Sequence, residues 1–319
     1  MKMTDFSNAK VKVRSDKTKK ITASILILSL SALICGFMSP FITKFTVDGL
    51  KLCANTVIGS VFPFLILTDV IVKFANFEAI GWLRSIFEKI FKINGYAITA
   101  YFIGLLCGFP LGVKVGVDLY KSGFISKDEC ERLIGFSNNT GPAFIIAGVG
   151  FGLRGSIKDG VILYFSMLIS SLLSGFIMGI GKRSTAGERV RANDEGYDFT
   201  SSVKTAATNT LNICAFVVFF SVISGILSIL IKCEAIYVLI ISILEVSNAT
   251  KTLARDIQPR LISMALSSFA ISFSGISVHM QAKCFLSGTD LSMRRYYVTK
   301  ILQGIISAVI CSFIVLILK

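Results

Sequence analysis

Charged side chains are scarce in this 319-residue sequence, making up 16% of it, whereas apolar residues make up 53%. The mean hydropathy of +0.74 is far above that of a soluble enzyme and excludes the soluble classes. Several apolar runs approach the ~20 residues that cross a bilayer as a helix. We therefore predict an all-α polytopic membrane protein with about seven transmembrane helices.

The usual metal ligands are also few. The chain has one histidine, and none of its eight cysteines forms a CxxC pair, so a zinc site is not expected. Cys35, Cys107, Cys214 and Cys311 lie in apolar runs and are predicted to be buried small hydrophobes. The sequence contains no Walker loop, GxSxG or HExxH motif. We predict no enzymatic activity, no cofactor and no metal.

Acidic residues are outnumbered by basic ones, 19 to 33, which gives a formal net charge of +14. The Lys and Arg residues cluster at the ends of apolar runs rather than on one surface. This distribution argues against nucleic acid as a partner and for a lipid bilayer. Seven of the basic residues lie in residues 1–20, and this positive-inside pattern predicts a cytoplasmic N-terminus.

The chain divides into five segments. A basic cytoplasmic segment, 1–20, precedes a retained transmembrane helix, 21–43. A first repeat, 49–181, is joined by a cytoplasmic loop, 182–204, to a second repeat, 205–319. Each repeat is predicted to contain a span, an interrupted span, a broken hairpin and a span. Two such units in opposite orientation are typical of secondary transporters, although the halves of any polytopic protein show loosely similar hydropathy.

The two re-entrant hairpins of this inverted repeat are predicted at 126–153, entering from outside, and at 258–287, entering from the cytoplasm. With these positions, Lys121 and Lys127 fall on the outer side, whereas Arg295 falls on the cytoplasmic side. The acidic residues around Lys121 and Lys127 reduce the conflict with the positive-inside pattern.

Residues 81–93 have a different pattern from the spans. One helical face carries the apolar residues Trp82, Leu83, Ile86, Phe87, Ile90 and Phe91, and the other carries Arg84, Glu88, Lys89 and Lys92. Such a segment is predicted to lie in the cytoplasmic interface of the membrane.

The first hairpin is interrupted at 137–142, SNNTGP, between two apolar runs. Unpaired backbone groups cost several kcal/mol in hydrocarbon, so such a break is tolerated only where it faces protein or a water-filled cavity. Pro142 suits the first turn of the following half-helix, whose free amides carry positive partial charge. A second break at 272–277 is predicted to meet it and form a site for an anionic or strongly polar solute. The alternative is an ordinary loop between two full spans.

Lys114 and His279 are polar residues within otherwise apolar segments, where such groups usually face a partner or a cavity. Lys114 could balance an anionic solute, snorkel to the outer interface or pair with Asp118 one turn on. His279 is either a hydrogen-bonded packing residue or a group for solute contact or proton coupling. The predicted solute-binding residues are Lys114, Asn138, Asn139, Thr140, Gly141, Asn248, Ser274, Ser277, His279 and Gln281.

Four sequence pieces carry a family resemblance. They are VFPFLI (61–66), GFPLGVKVGVDLYKSGFISKDECERLIGFSNNTGPAFIIAGVGFG (108–152), LEVSNATK (244–251) and FSGISVHMQAKCFLSGTDL (273–291). On these pieces the chain resembles the YlbJ-type sporulation integral membrane proteins (stage V sporulation protein V), within the wider gate or nucleoside-recognition group. The chain departs from them in having Leu163-Tyr164 where His-Tyr is usual and Asn94-Gly95 where Pro-Gly is usual.

The resemblance implies a multi-pass transporter of the outer forespore membrane that moves the small dianion dipicolinate from the mother cell to the forespore. Two alternatives remain open. One is a carrier of nucleosides or other polar metabolites, and the other is a membrane scaffold of sporulation that transports nothing. The sequence predicts no oligomeric state and no coupling ion.

Overall fold

The structure is a computed structural model that describes residues 39–74, 81–184, 198–257 and 259–318, together with Ile25, Ser29 and Gly36. The predicted N-terminal segment, most of the predicted helix 21–43 and much of the loop 182–204 therefore lie outside the described residues.

The described part of the chain is helical and contains no β-strand. In the first half the helices are α1 (Ser39–Leu52), a π-helical turn (Cys53–Val57), α2 (Ile58–Phe74), α3 (Gly81–Phe91), a 3₁₀ turn (Gly95–Ala97), α4 (Ile98–Cys107), α5 (Leu111–Lys121), α6 (Lys127–Ser137), a π-helix (Ala143–Leu153) and α7 (Ile157–Gly179). In the second half they are α8 (Phe199–Leu230), α9 (Glu234–Leu244), α10 (Val246–Asp256), α11 (Arg260–Phe273), α12 (Gly275–Phe285) and α13 (Arg294–Ile317).

Four segments of the described chain are long and apolar enough to cross a membrane. They are α7, α8, the pair α11–α12 (Arg260–Phe285) and α13, and the bent pair Gly81–Phe91 and Gly95–Cys107 makes a fifth if it is one span. Large apolar side chains such as Phe176 and Phe313 are exposed on these helices, as expected where the solvent is lipid. The chain is an all-α, multi-pass membrane protein, as the composition predicts.

The hairpins lie elsewhere than predicted. Helix α4 packs directly on α5, so closely that a β-carbon on Gly104 would lie 2.9 Å from the Cα of Gly112. In the second half α9 packs on α10, with Ile241 and Ala249 in one buried cluster on either side of a turn at Glu245. The two helical hairpins are thus residues 98–121 and 234–256.

The segments predicted as hairpins do not fold back on themselves. The π-helix meets α7 at Gly160, whereas α6 meets α7 at Gly175, which is about 22 Å further along a helix that rises 1.5 Å per residue. Residues 127–153 therefore run along the length of α7, and α11–α12 likewise form one candidate span. The predicted hairpins at 126–153 and 258–287 are therefore wrong. The error arises because a re-entrant hairpin and a broken span both contain an interruption in an apolar run. The sequence pattern shows the interruption but not the reversal of direction.

The corrected hairpin positions also change the side of the membrane on which one loop lies. Asp290 accepts hydrogen bonds from the Tyr120 hydroxyl at 2.7 Å and the Lys127 Nζ at 3.0 Å, and these donors hold the pKa of its carboxyl below the usual range. Arg295 pairs with Asp128 at 2.5 Å. The loops after α5 and after α12 therefore lie on one side, whereas the sequence analysis placed them on opposite sides.

The C-terminal end of α3 lies on the same side. Arg132 donates to the carbonyl oxygens of Phe91 at 3.0 Å and Lys92 at 2.8 Å. We call this side the basic face. Its basic residues are Lys89, Lys92, Lys121, Lys127, Arg132, Lys182, Arg183, Lys283, Arg294 and Arg295.

Helix α3 meets the segment Gly95–Cys107 at 101°. Its Phe87 and Phe91 are buried against the protein, whereas Trp82, Ile86 and Ile90 are exposed. A helix that lies nearly perpendicular to the following segment and exposes an apolar stripe has the arrangement expected of an interfacial helix.

Candidate functional site

The break between α6 and the π-helix is buried. Helix α6 begins with a capping box, in which Ser126 and Glu129 exchange side-chain and backbone hydrogen bonds. It ends at Ser137, and the next residues, Asn138, Asn139 and Thr140, are non-helical and fully enclosed. A buried non-helical segment in a membrane protein needs polar partners from the rest of the protein.

Those partners come from one face of α13. The Asn138 Nδ2 donates to the Tyr296 hydroxyl at 2.7 Å, and the Gln303 Nε2 donates to Asn139 Oδ1 at 2.8 Å. Between them, the Lys300 Nζ donates to the Asn138 carbonyl oxygen at 2.8 Å and to Gln303 Oε1 at 2.9 Å. Tyr296, Lys300 and Gln303 follow each other at intervals of four and three residues, so they share one side of the helix.

The buried amino group of Lys300 distinguishes this break from the rest of α13. Its side chain is fully buried, and no carboxylate in the described part of the chain forms an ion pair with it. Taking an unpaired ammonium out of water costs several kcal/mol, which neutral hydrogen-bond acceptors offset only in part. Two hydroxyls in the neighbouring segments, Ser137 Oγ and Ser272 Oγ, are buried without a hydrogen-bond partner among the described atoms.

The second break lies beside the first. Ser274 separates α11 from α12, and both it and Gly275, the first residue of α12, have positive φ angles, 72° and 76°. The Thr140 hydroxyl donates to the Ile271 carbonyl oxygen at 2.9 Å, which joins the two breaks directly. The His279 Nε2 donates to the Phe273 carbonyl oxygen at 2.7 Å, and its ring centroid lies 5.2 Å from that of Tyr296.

Each hairpin tip touches the break of its own half. A β-carbon on Gly108, the tip of α4–α5, would lie 3.0 Å from the Gly141 nitrogen, and the φ of 87° at Gly108 also requires glycine. A β-carbon on Gly275 would lie 3.0 Å from the Leu244 carbonyl oxygen, at the tip of α9–α10. The breaks and tips therefore form two neighbouring junctions deep in the molecule.

The structure brings six of the predicted residues into these junctions: Asn138, Asn139, Thr140, Gly141, Ser274 and His279. Ser277 and Gln281 lie further along α12, where the Gln281 Nε2 is 3.5 Å from Ser277 Oγ. Asn248 lies on α10 and lines a separate cavity.

Lys114 is not at either break. Its Nζ pairs with the Asp69 carboxylate on α2 and with Asp118 at 2.9 Å, one turn along its own helix. Pairing with Asp118 was one of the roles that the sequence left open. With two carboxylate partners, the charge of Lys114 is balanced within the protein.

The sequence analysis did not single out Tyr296, Lys300 or Gln303. A signal was present, since Lys300 is an ionisable residue inside an otherwise apolar span and Gln303 follows three residues later.

A cleft opens near the basic face. It has a volume of about 800 Å³ and is lined by the aromatic rings of Phe216 and Tyr297 and by the basic side chains of Lys283 and Arg294. The Tyr297 ring centroid lies 5.7 Å from those of both Tyr296 and His279. A chain of ring contacts therefore connects the cleft to the first break.

Comparison with known proteins finds a similarity to the sporulation integral membrane protein YlbJ of Bacillus subtilis (strain 168). The two sequences are 25% identical over 307 residues, which cover 82% of this chain and 74% of that protein. No protein-family model matches the sequence, and no solved structure matches it. The similarity supports the YlbJ-type resemblance that the four sequence pieces indicate.

Proposed function

We propose that this chain is a sporulation membrane transporter for a small anionic solute, with dipicolinate as the expected substrate. The observation that carries the proposal is the buried amino group of Lys300, which has no carboxylate partner among the described residues and lies at an unwound helix. A bound anion would favour its protonated form. The similarity to a sporulation integral membrane protein supplies the biological setting.

The chemistry around Lys300 suits a carboxylate ligand. An anion would compensate the ammonium charge, and the unpaired hydroxyls of Ser137 and Ser272 are available as hydrogen-bond donors to it. Dipicolinate has two carboxylates on a planar ring. One of these carboxylates would pair with Lys300, and the ring would pack against the aromatic side chains of Tyr296 and His279.

The cleft by Lys283 and Arg294 provides a route of entry. Its basic and aromatic lining would attract a planar anion from the basic face, which we infer to be cytoplasmic from the positive-inside rule. The first break is fully buried, so the described conformation is occluded. Access then requires movement of the α4–α5 hairpin, whose tip at Gly108 covers Gly141.

Uptake of labelled dipicolinate into proteoliposomes that hold only this protein tests the proposal. Saturable uptake is expected, and Lys300→Met is expected to lower it about 10–100-fold, the loss of one or two charge-assisted hydrogen bonds. Lys251→Met is the matched control, because Lys251 is exposed on α10, and it should transport normally.

Three results would contradict the proposal. Uptake of a nucleoside instead of dipicolinate would indicate a carrier of neutral polar metabolites. Absence of flux for every solute would favour a scaffold role. Equal dipicolinate uptake by Lys300→Met and the wild type would remove Lys300 from the site.

A further inference from the structure

A second polar cavity lies away from Lys300. It has a volume of about 250 Å³ and lies between α1, α8 and the tip of the α9–α10 hairpin. This volume is below the range of about 300–1,000 Å³ that is usual for organic ligands, so its occupant should be small.

The lining of this cavity is acidic and rich in oxygen atoms. Asp48 and Glu245 contribute carboxylates, and Ser221, Ser224, Ser228 and Asn248 contribute hydroxyl or amide oxygens. Among the described residues, no Lys or Arg lines the cavity, and neither carboxylate forms an ion pair with any of them. Oxygen ligands around a net negative charge are suited to a hard metal cation.

One lining group lacks a partner. Ser224 is 2% exposed, and its Oγ has no hydrogen bond among the described atoms. A buried hydroxyl left unpaired is destabilising, so its presence on the wall of an acidic cavity is an independent indication of a ligand.

The hydrogen bonds of Glu245 favour a monovalent ion over Ca²⁺ or Mg²⁺. Its Oε1 accepts the Ser247 N–H at 2.9 Å and its Oε2 accepts the Asn248 N–H at 2.7 Å, so the carboxylate caps α10. Each carboxylate oxygen retains one lone pair. The two backbone N–H groups of α10 already hold both oxygens, which disfavours bidentate chelation of a divalent ion.

We propose that this cavity binds a small hard monovalent cation, with Na⁺ as the probe. The bound ion would neutralise Glu245 and hold the hairpin tip against α1 and α8. Because this tip touches Gly275 at the second break, occupancy would be linked to the conformation of the junction. The role of the cation in driving transport rests on the proposed function, whereas its binding does not.

Thermal unfolding of the purified full-length protein tests cation binding in the absence of any solute. Buried thiols such as Cys130 and Cys311 become reactive on unfolding and can be followed with a thiol-reactive dye. Titration with NaCl, at ionic strength held constant with choline chloride, is expected to raise the Tm in a saturable way. Asp48→Asn should raise the half-saturating NaCl concentration about tenfold, and Ser224→Ala about fivefold.

Glu234→Gln is the matched control, because Glu234 is exposed at the start of the same hairpin and does not line the cavity. It should keep the wild-type response. In choline alone, Ser224→Ala should melt at or above the wild-type Tm, since an unpaired hydroxyl is removed, whereas a structural role would lower it.

The absence of a saturable Na⁺ response, or an unchanged response in Asp48→Asn and Ser224→Ala, would overturn the proposal. Vesicle uptake separates it from the transport proposal. Dipicolinate uptake that is equal in Na⁺ and choline would remove the coupling role alone. Specific Na⁺ binding without any solute uptake would leave the cation site in place and refute the transport function.

Discussion

The two junctions follow the same plan and differ in charge. In each half, a helical hairpin points its tip at the break of the crossing segment that follows. The first tip is Gly108, and its break is paired with the cationic Lys300. The second tip is Glu245, beside a cavity with two acidic side chains. The proposed anion site lies at one junction and the proposed cation site beside the other, because the arrangement of helices determines where backbone is interrupted and the side chains determine what could bind there.

The strongest test of this comparison is to label the loops from each side of the membrane, because each introduced cysteine should react from one side only. In a cysteine-free background, Lys121→Cys and Ser287→Cys should react with an impermeant thiol reagent from the same side. Lys232→Cys, in the connection between α8 and α9, should react from the opposite side. Lys121→Cys and Ser287→Cys are expected to share a side because the loops after α5 and α12 contact each other through Asp290.

Vesicles of known orientation provide the measurement. Labelling of Lys121→Cys and Ser287→Cys from opposite sides would show that the hairpins are at the positions that the sequence suggested.

The next largest effect is expected from Gly104→Ala in the first hairpin. A β-carbon there would lie 1.9 Å from the Ser137 carbonyl oxygen, a backbone atom that cannot move aside cheaply. We expect destabilisation beyond about 3 kcal/mol and little monodisperse protein in size-exclusion chromatography. The second hairpin already carries a β-carbon at Ala249 in its helix contact. Gly59→Ala, with open space around it, is the control and should be well folded.

The two buried lysines are predicted to behave differently. Lys114→Met leaves Asp69 and Asp118 facing each other without their cation, at a cost of about 3 kcal/mol, the low end for a broken ion pair because both carboxylates are partly exposed. Lys300→Met leaves no carboxylate unpaired and should retain the fold.

Thermal unfolding checks this difference, and Asp69→Asn added to Lys114→Met should recover part of the lost stability. If this double variant is stable but fails to transport, Lys114 has a role in solute binding beyond its ion pairs. If Lys114→Met alone melts at the wild-type Tm, the ion-pair account is incorrect.

The smallest effect is expected at the contact between the two breaks. Thr140→Val removes the hydrogen bond from Thr140 Oγ1 to the Ile271 carbonyl oxygen and should cost about 1 kcal/mol of stability. Thr208→Val removes a comparable bond within α8, at an exposed position, and should be nearly neutral. A Thr140→Val protein as stable as the Thr208→Val control would show that the breaks are held together by other contacts.

Much of the fold could be predicted from the sequence, but the direction of the chain at the breaks could not. The helical class follows from local patterns, and the structure confirms it. The apolar face predicted for residues 81–93 is divided in the structure, because Phe87 and Phe91 are buried against the protein whereas Trp82 is exposed. Whether an interrupted apolar segment crosses or turns back is decided by packing between helices. The close approach of Gly104 and Gly112 is visible only in three dimensions.

The candidate site could be predicted only in part, again because its contacts between distant helices are not visible in the sequence. The SNNTGP break can be recognised in the sequence because polar residues interrupt an apolar run. Lys300 lies more than 150 residues away, and its pairing with Asn138 is a tertiary contact. The rule that an ionisable residue inside a span is a functional candidate applied to Lys300 as well as to Lys114. The structure separates the two by showing which of them already has carboxylate partners.

The large sequence separation between Asn138 and its partners on α13 has a consequence for biosynthesis. A ribosome makes the N-terminal half first, so the polar segment around Asn138 enters the translocon long before α13 is synthesised. Until α13 arrives, the side chains that bond Asn138 and Asn139 through Tyr296 and Gln303 are absent, and water, lipid headgroups or a chaperone must take their place. A truncation that removes α13 should therefore be recognised and degraded by membrane quality control, even though every earlier helix is intact.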